Sequence, residues 1–144
     1  MNNEFLSIID EFTSNDTVLK MKEFKQHRNT SCYDHCYNVS FVCYKIAKKF
    51  NLDYISITRA AMLHDLFLYD WHIKNGRKGF HAFTHGKCAC NNALKEFNLS
   101  KKEQDMIIKH MWPVTLIPPK SIEGFILTIV DKYCAGREIL SSIF

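Results

Sequence analysis

The chain has 144 residues, of which 47% are hydrophobic and 24% charged, and its formal net charge is +4. This length and composition are typical of one globular domain and exclude a disordered or low-complexity chain. The basic residues form no stripe with interleaved aromatic residues, which argues against a nucleic-acid-binding protein. The start MNNEFLSIID lacks the basic region of a secretory signal, and no apolar stretch approaches the length of a membrane span. We therefore expect a single-domain cytoplasmic protein that binds neither nucleic acid nor a membrane.

Apolar residues recur at helical spacing along almost the whole chain. Asn15 or Asp16 can cap a helix, Ser100 and Glu103 form a capping box, and Pro113 ends the helix that begins there. The expected fold is an all-α, single-domain helical bundle. Its helices are predicted at residues 2–13, 15–24, 33–50, 56–68, 84–97, 100–112 and from 121 onwards.

Three further expectations concern particular segments. Residues 69–83 lack a period and contain two glycines, so they are predicted as a loop, whereas 114–117 carry a weak strand pattern. The N-terminal helix could mediate a homodimer. The inward face of the last helix is predicted to consist of Ile122, Phe125, Ile126, Ile129 and Tyr133.

The six cysteines contain no CxxC pair. Cys32 and Cys36 lie one helical turn apart, and Cys88 and Cys90 form a CxC pair, so a metal site built from these four is one interpretation. Small, buried thiols in a reducing compartment are the simpler one. We therefore expect reduced and buried cysteines.

Four of the seven histidines fall where the helical pattern points inward, namely His35, His64, His85 and His110. Any one of them could be a hydrogen-bonded core histidine. Four neutral imidazoles in one small core would be costly to bury, and a metal ion removes that cost. Two carboxylates complete the set, because Asp65 follows His64 and Asp131 interrupts an apolar helix.

The order of these six residues resembles that of the HD superfamily of metal-dependent phosphohydrolases. The segment Ala60-Ala61-Met62-Leu63-His64-Asp65 is similar to the family's usual AALLHD, and Thr128-Ile129-Val130-Asp131-Lys132 is similar to its ADK ending. The segment from Thr30 to His35 resembles the start of the family's first ligand helix. The resemblance covers about residues 28–138.

The resemblance implies a binuclear centre in an HD-type helical bundle. His35, His64, Asp65 and Asp131 match the ligands of the common metal. His85 and His110 match the added ligands of two-metal members, in which Asp65 bridges, so Asp65, His85 and His110 are the expected catalytic group. The ligand types suit iron or manganese, with zinc or nickel as alternatives. The expected activity is hydrolysis of a phosphate ester or anhydride of a nucleotide or small metabolite.

Two departures from the family limit what the resemblance implies. Leu66-Phe67-Leu68 replaces the common IGK continuation, and Met111 stands where cyclic-dinucleotide phosphodiesterases have a second histidine. Two alternatives stay open, a mixed-valence di-iron oxygenase with the same ligand order and a non-catalytic nucleotide- or metal-binding module. Candidate contacts to a small anionic substrate are Arg28, Lys74, Arg77, Lys78, His81 and Lys87, with Lys109 as a further candidate. His72 or His81 could instead be the general acid that protonates the leaving group, or a surface residue.

Overall fold

The computed structural model describes residues 2–27, 29–69 and 81–143. In these ranges the chain is mostly helical, and a short antiparallel hairpin precedes the longest of the early helices. The helices are α1 (Asn3–Thr13), α2 (Asp16–Leu19), a 3-10 turn (Lys20–Glu23), α3 (Cys32–Lys49), α4 (Tyr54–Leu63), α5 (His81–Leu94), α6 (Lys101–Lys109) and α7 (Ile122–Ile143). The strands are β1 (Lys25–His27) and β2 (Thr30–Ser31).

The helix starts follow the capping residues of the sequence. The Asn15 side chain accepts hydrogen bonds from the backbone N–H groups of Thr17 and Val18 at the start of α2. At the start of α6, the Ser100 hydroxyl accepts from the Glu103 N–H at 3.0 Å, and the Glu103 carboxylate accepts from the Ser100 N–H at 2.8 Å. The predicted capping box is therefore confirmed.

Helix α3 lies at the centre of the bundle and packs against both α4 and α7. Helix α6 joins α4 to α5, and α1 covers the other side of α4 with its buried residues Phe5, Ile9 and Phe12. This arrangement brings the N-terminal turn of α3, the C-terminal end of α4 and the middle of α7 to one point in the core. None of the described helices has the length and apolar composition needed to cross a membrane.

Several predicted boundaries are wrong. Residues 114–117 form turns and bends rather than a strand, and none of the described strands lies beside them to supply hydrogen bonds. The two strands that do form, at 25–27 and 30–31, carry no strand pattern in the sequence. Helix α4 ends at Leu63 rather than Leu68, and Leu68 itself has a φ of 58°, in the left-handed region that interrupts a right-handed helix. Helix α5 already begins at His81, inside the predicted loop, and residues 70–80 of that loop lie outside the described ranges.

The predicted inward face of α7 is also wrong. Ile122, Phe125, Ile129 and Tyr133 are between 36% and 66% exposed, and Ile126 is only partly buried. The opposite face, which carries Leu127, Thr128, Val130, Asp131, Cys134 and Glu138, is buried. Both faces have apolar residues at helical spacing. The face that turns inward is the one whose acids meet the buried histidines of the neighbouring helices.

Candidate metal centre

Four side chains from three helical segments converge in the core. His35 lies in the first turns of α3, His64 and Asp65 directly follow the last residue of α4, and Asp131 lies in the middle of α7. The Nε2 atoms of His35 and His64 lie 2.8 and 3.1 Å from Oδ1 of Asp131. The same two atoms lie 3.5 and 3.4 Å from Oδ2 of Asp65. Because their ligand atoms all lie within 4.8 Å of one another, these residues could hold a metal ion.

A second group shares Asp65 and adds histidines from α5 and α6. His85 Nε2 and His110 Nε2 lie 2.7 Å apart, and they are 3.3 and 3.4 Å from Oδ1 of Asp65. These three residues also satisfy the spacing of a metal-binding group. Asp65 therefore presents one oxygen to each group.

Backbone carbonyls orient three of the four imidazoles. The Nδ1 atoms of His64, His85 and His110 lie 2.6 to 2.7 Å from the carbonyl oxygens of Ala61, His81 and Ile107. A carbonyl only accepts, so each Nδ1 carries a proton, and each Nε2 atom, whose lone pair is free to bind a metal once it is unprotonated, faces the cluster. Metal-binding histidines are commonly fixed in this way.

The donor set fits a cation. With both Nδ1 atoms protonated, the lone pairs on Nε2 of His85 and His110 face each other across 2.7 Å, an arrangement that requires a proton or a metal ion between them. In addition, Oδ1 of Asp65 is fully buried and has no hydrogen-bond partner. Buried polar atoms are nearly always satisfied, so this oxygen points to a ligand.

The electrostatics match this arrangement. Burial opposes ionisation of Asp65 and Asp131, but the charge of His64 and the other histidines beside them together hold the pKa of both carboxyls below the usual range. Burial likewise opposes protonation of His35, but hydrogen bonds to Asp131 and Glu138 raise its pKa to about 10. Without metal, protons on His35 and His64 balance the carboxylates, and a metal ion would take the place of these protons.

Two residues of the site were missed by sequence reasoning. Both carboxylate oxygens of Glu138 lie within 3.0 Å of Nδ1 of His35, whose N–H they accept. Gln26 donates from Nε2 to Oδ2 of Asp65 at 2.7 Å and accepts from the Cys32 thiol. Glu138 lies seven residues after Asp131, two turns along the same helix face, and that spacing could have identified it. No sequence pattern points to Gln26.

The structure brings together all six predicted ligands but few of the predicted substrate contacts. The His81 ring stacks on that of His85, with centroids 4.2 Å apart, and its Nδ1 lies 2.8 Å from the Tyr69 hydroxyl. Lys87 is exposed on the opposite side of α5 from His85, and Lys109 pairs with Asp105 at 2.6 Å. Arg28, His72, Lys74, Arg77 and Lys78 lie outside the described ranges. No disulfide joins any of the six cysteines, all of which lie within the described ranges, and neither metal-binding group includes one.

The fold and the two linked groups define an all-α protein with a buried His/Asp site suited to metal ions. A family model described as HD domain matches residues 32–136, a range that contains all six of these ligand candidates, and the chain therefore belongs to the HD-domain family. Gln26 and Glu138 lie outside that range. Comparisons with curated proteins and with solved structures gave no match.

Proposed function

We propose that this HD-domain protein hydrolyses a phosphate ester or anhydride at a binuclear metal centre. The observation that carries the proposal is the position of Asp65, whose two oxygens each face a separate group of imidazoles while Oδ1 has no hydrogen-bond partner. One carboxylate that serves two adjacent ligand groups is typical of two-metal hydrolytic sites. The HD-domain match agrees with hydrolase chemistry.

The ligands divide between two positions. His35, His64, Asp65 and Asp131 would hold the first ion, and Asp65, His85 and His110 the second. Imidazole and carboxylate ligands suit iron or manganese, with zinc or nickel as alternatives. When bound, two such ions supply a water activated for attack and neutralise the charge that develops on the phosphoryl oxygens.

The chain's own residues orient the site and move protons. The carbonyls behind His64, His85 and His110 hold these rings in one tautomer, and Gln26 fixes Asp65 through Oδ2 while leaving Oδ1 to the second group. His81 is half-buried beside His85. We assign to it the protonation of the leaving oxygen, because its ring lies at the edge of the site and the Tyr69 hydroxyl sets its orientation.

The substrate would be a small anionic molecule, a nucleotide or another phosphorylated metabolite. The cationic residues nearest in sequence to the ligands support this, with Arg28 preceding His35 and with Lys74, Arg77 and Lys78 preceding His85. Arginine recognises phosphate in a bidentate manner, and lysine acts as a point charge. Lys87 is a weaker candidate, because it faces away from His85.

The first test combines metal analysis with phosphate release. Protein purified without added metal should contain about two transition-metal ions per chain and release inorganic phosphate from some members of a panel of nucleotides and sugar phosphates. Asp65→Ala should lose both ions and the activity, whereas Asp10→Ala, which removes an exposed carboxylate on α1, should lose neither. Retention of two ions by Asp65→Ala would contradict the ligand assignment.

The same preparation separates the alternatives. A mixed-valence di-iron signal in electron paramagnetic resonance, with oxygen consumption and no phosphate release, would favour an oxygenase. Two bound ions with neither activity, together with tight nucleotide binding, would favour a binding module. Both outcomes retain the metal site and reject the hydrolase.

A further inference from the structure

Helix α7 carries a continuous apolar stripe on the side that faces away from the candidate metal centre. The outward stripe consists of Ile122, Phe125, Ile129, Tyr133, Gly136 and Leu140, spaced by three or four residues. At about 100° per residue these positions fall within roughly 40° of one line along the helix. All six are exposed, and four of the five side chains expose more than half of their surface. Asp131 and Glu138 lie on the opposite, buried face.

Packing among the described residues, 2–27, 29–69 and 81–143, does not cover this stripe. Phe125 makes an edge-to-face contact with Trp112, and the Arg137 guanidinium lies 5.9 Å from the centroid of the Tyr133 ring, but the other large side chains of the stripe still expose more than half of their surface. The largest apolar patch on a protein surface is often an interaction site. Helix α1, from which a homodimer was expected, has its apolar residues Phe5, Ile9 and Phe12 in the core and turns polar residues outward.

We propose that the outward stripe is the interface of a homodimer in which two copies of α7 pack antiparallel about a two-fold axis. In a two-fold interface residue i faces residue j and j faces i. With the axis near residue 131, Ile122 lies opposite Leu140 of the second copy, and Ile129 opposite its Tyr133. The antiparallel pairing thus sets the large side chains of each copy opposite those of the other.

Gly136 supplies the shape that this pairing needs. In the antiparallel register the Phe125 ring falls at the level of the second copy's Gly136. A Cβ at Gly136 would meet nothing within 4 Å in the part of the chain that the structure describes, so the packing there does not require a glycine. Glycine in the middle of a helix is unfavourable, and a close approach by another group is one reason to have it. A bulky ring opposite a gap is the contact expected of packed helices.

The surface area is consistent with a second copy of the chain. Taking roughly 100 Å² for the full apolar surface of each large side chain, the half-exposed stripe presents about 300 Å² per copy. Two copies bury about 600 Å² of apolar surface, which corresponds to an interface of roughly 900 Å² at the apolar fraction of homodimers. That value lies below the roughly 1,200–2,000 Å² of stable interfaces, so we expect a weak dimer that dissociates in the micromolar range or above.

Sedimentation velocity across a concentration series tests the dimer. The unchanged chain should shift from monomer to dimer between about 1 and 100 µM. Ile129→Glu places a charge at the centre of the interface and should raise the dissociation constant at least tenfold, while circular dichroism and metal content stay the same. Ile55→Glu is the matched control, because Ile55 is a half-exposed isoleucine on α4, and it should leave the dissociation constant unchanged.

Cross-linking tests the orientation. A chain with both Ile122→Cys and Leu140→Cys should form intermolecular disulfides under mild oxidation, whereas Ile122→Cys alone should not, since two copies of residue 122 meet only in a parallel pair. Gly136→Leu should stabilise the helix and yet weaken the dimer by filling the gap opposite Phe125. A chain that stays monomeric at about 100 µM, a dimer insensitive to Ile129→Glu, or cross-linking by Ile122→Cys alone would overturn the proposal.

Discussion

Replacing Glu138 with glutamine should weaken metal binding without unfolding the protein. Glu138 does not belong to either ligand group, but its two oxygens accept the Nδ1–H of His35 at 2.9 and 3.0 Å. This contact fixes the ring so that Nε2 faces Asp131. Carboxylates behind metal-binding histidines also make the ring a better ligand.

The magnitude follows from the change in the acceptor. A buried hydrogen bond to a charged group contributes about 1.5–3 kcal/mol, and a neutral one about 1 kcal/mol. Glutamine keeps one acceptor oxygen and loses the charge, so the loss should be about 1.4 kcal/mol, which is roughly tenfold in affinity. Glu138→Ala also leaves the buried His35 N–H without an acceptor, and its loss should approach 100-fold.

The assay is competition for Zn²⁺ or Mn²⁺ between the metal-free protein and a chromophoric chelator at neutral pH. Glu103→Gln is the control, because Glu103 is equally buried and hydrogen-bonded, to Arg59 and the α6 start, but does not contact any ligand candidate. It should lower the free energy of unfolding and leave metal affinity unchanged. Equal affinities for Glu138→Gln and the unchanged chain would refute the positioning role, and an equal loss in Glu103→Gln would attribute the effect to stability alone.

Three further predictions concern other parts of the molecule. His110→Ala should lose only the second metal ion and retain about one per chain by elemental analysis, and loss of both would mean that the two groups are not separate. Gly86→Ala should lower the free energy of unfolding in urea by about 1–3 kcal/mol, because the new Cβ would lie 2.6 Å from the Ile108 carbonyl oxygen. Gly136→Ala is the control, and on the dilute monomer it should cause no such loss, because its Cβ would meet no described atom within 4 Å. Glu123→Gln should cost about 1 kcal/mol at pH 7, since this carboxylate accepts from the Asp53 N–H and pairs with Lys102. Burial alone would raise the pKa of Glu123, but these contacts lower it below 4.5. The carboxylate therefore contributes to the free energy of unfolding above pH 4.5, and this contribution is lost as the pH falls through the lowered pKa. Urea unfolding should show the variant less stable than the unchanged chain at pH 7 and the difference disappearing toward about pH 3.

Local chemistry accounts for what the sequence predicts correctly. The offsets of His35, His64, His85 and His110 from their apolar neighbours place all four on inward faces, and all four are buried. The capping box at Ser100 predicts the start of α6 because it acts within a single helical turn. The HD-type fold was expected from the resemblance of the ligand order to that family, and the family match confirms the membership.

The features that sequence reasoning missed depend on contacts between distant segments. The resemblance implied that Asp65 bridges two metals, but which of its oxygens faces which group is decided only where α5 and α6 bring their histidines to the end of α4. Gln26 reaches Asp65 from a hairpin strand that carries no local signal.

The orientation of α7 shows most clearly what the amino-acid sequence determined and what only the tertiary structure decided. The sequence determines that α7 is a helix and that Asp131 needs a buried partner. Helix α7 has two apolar faces, and helical periodicity predicts that the face with the larger side chains is the buried one. The tertiary structure buries the other face, because burying Asp131 and Glu138 is favourable only when they contact a partner such as His35. His35 lies 96 and 103 residues away in the chain, so no local pattern reveals this contact.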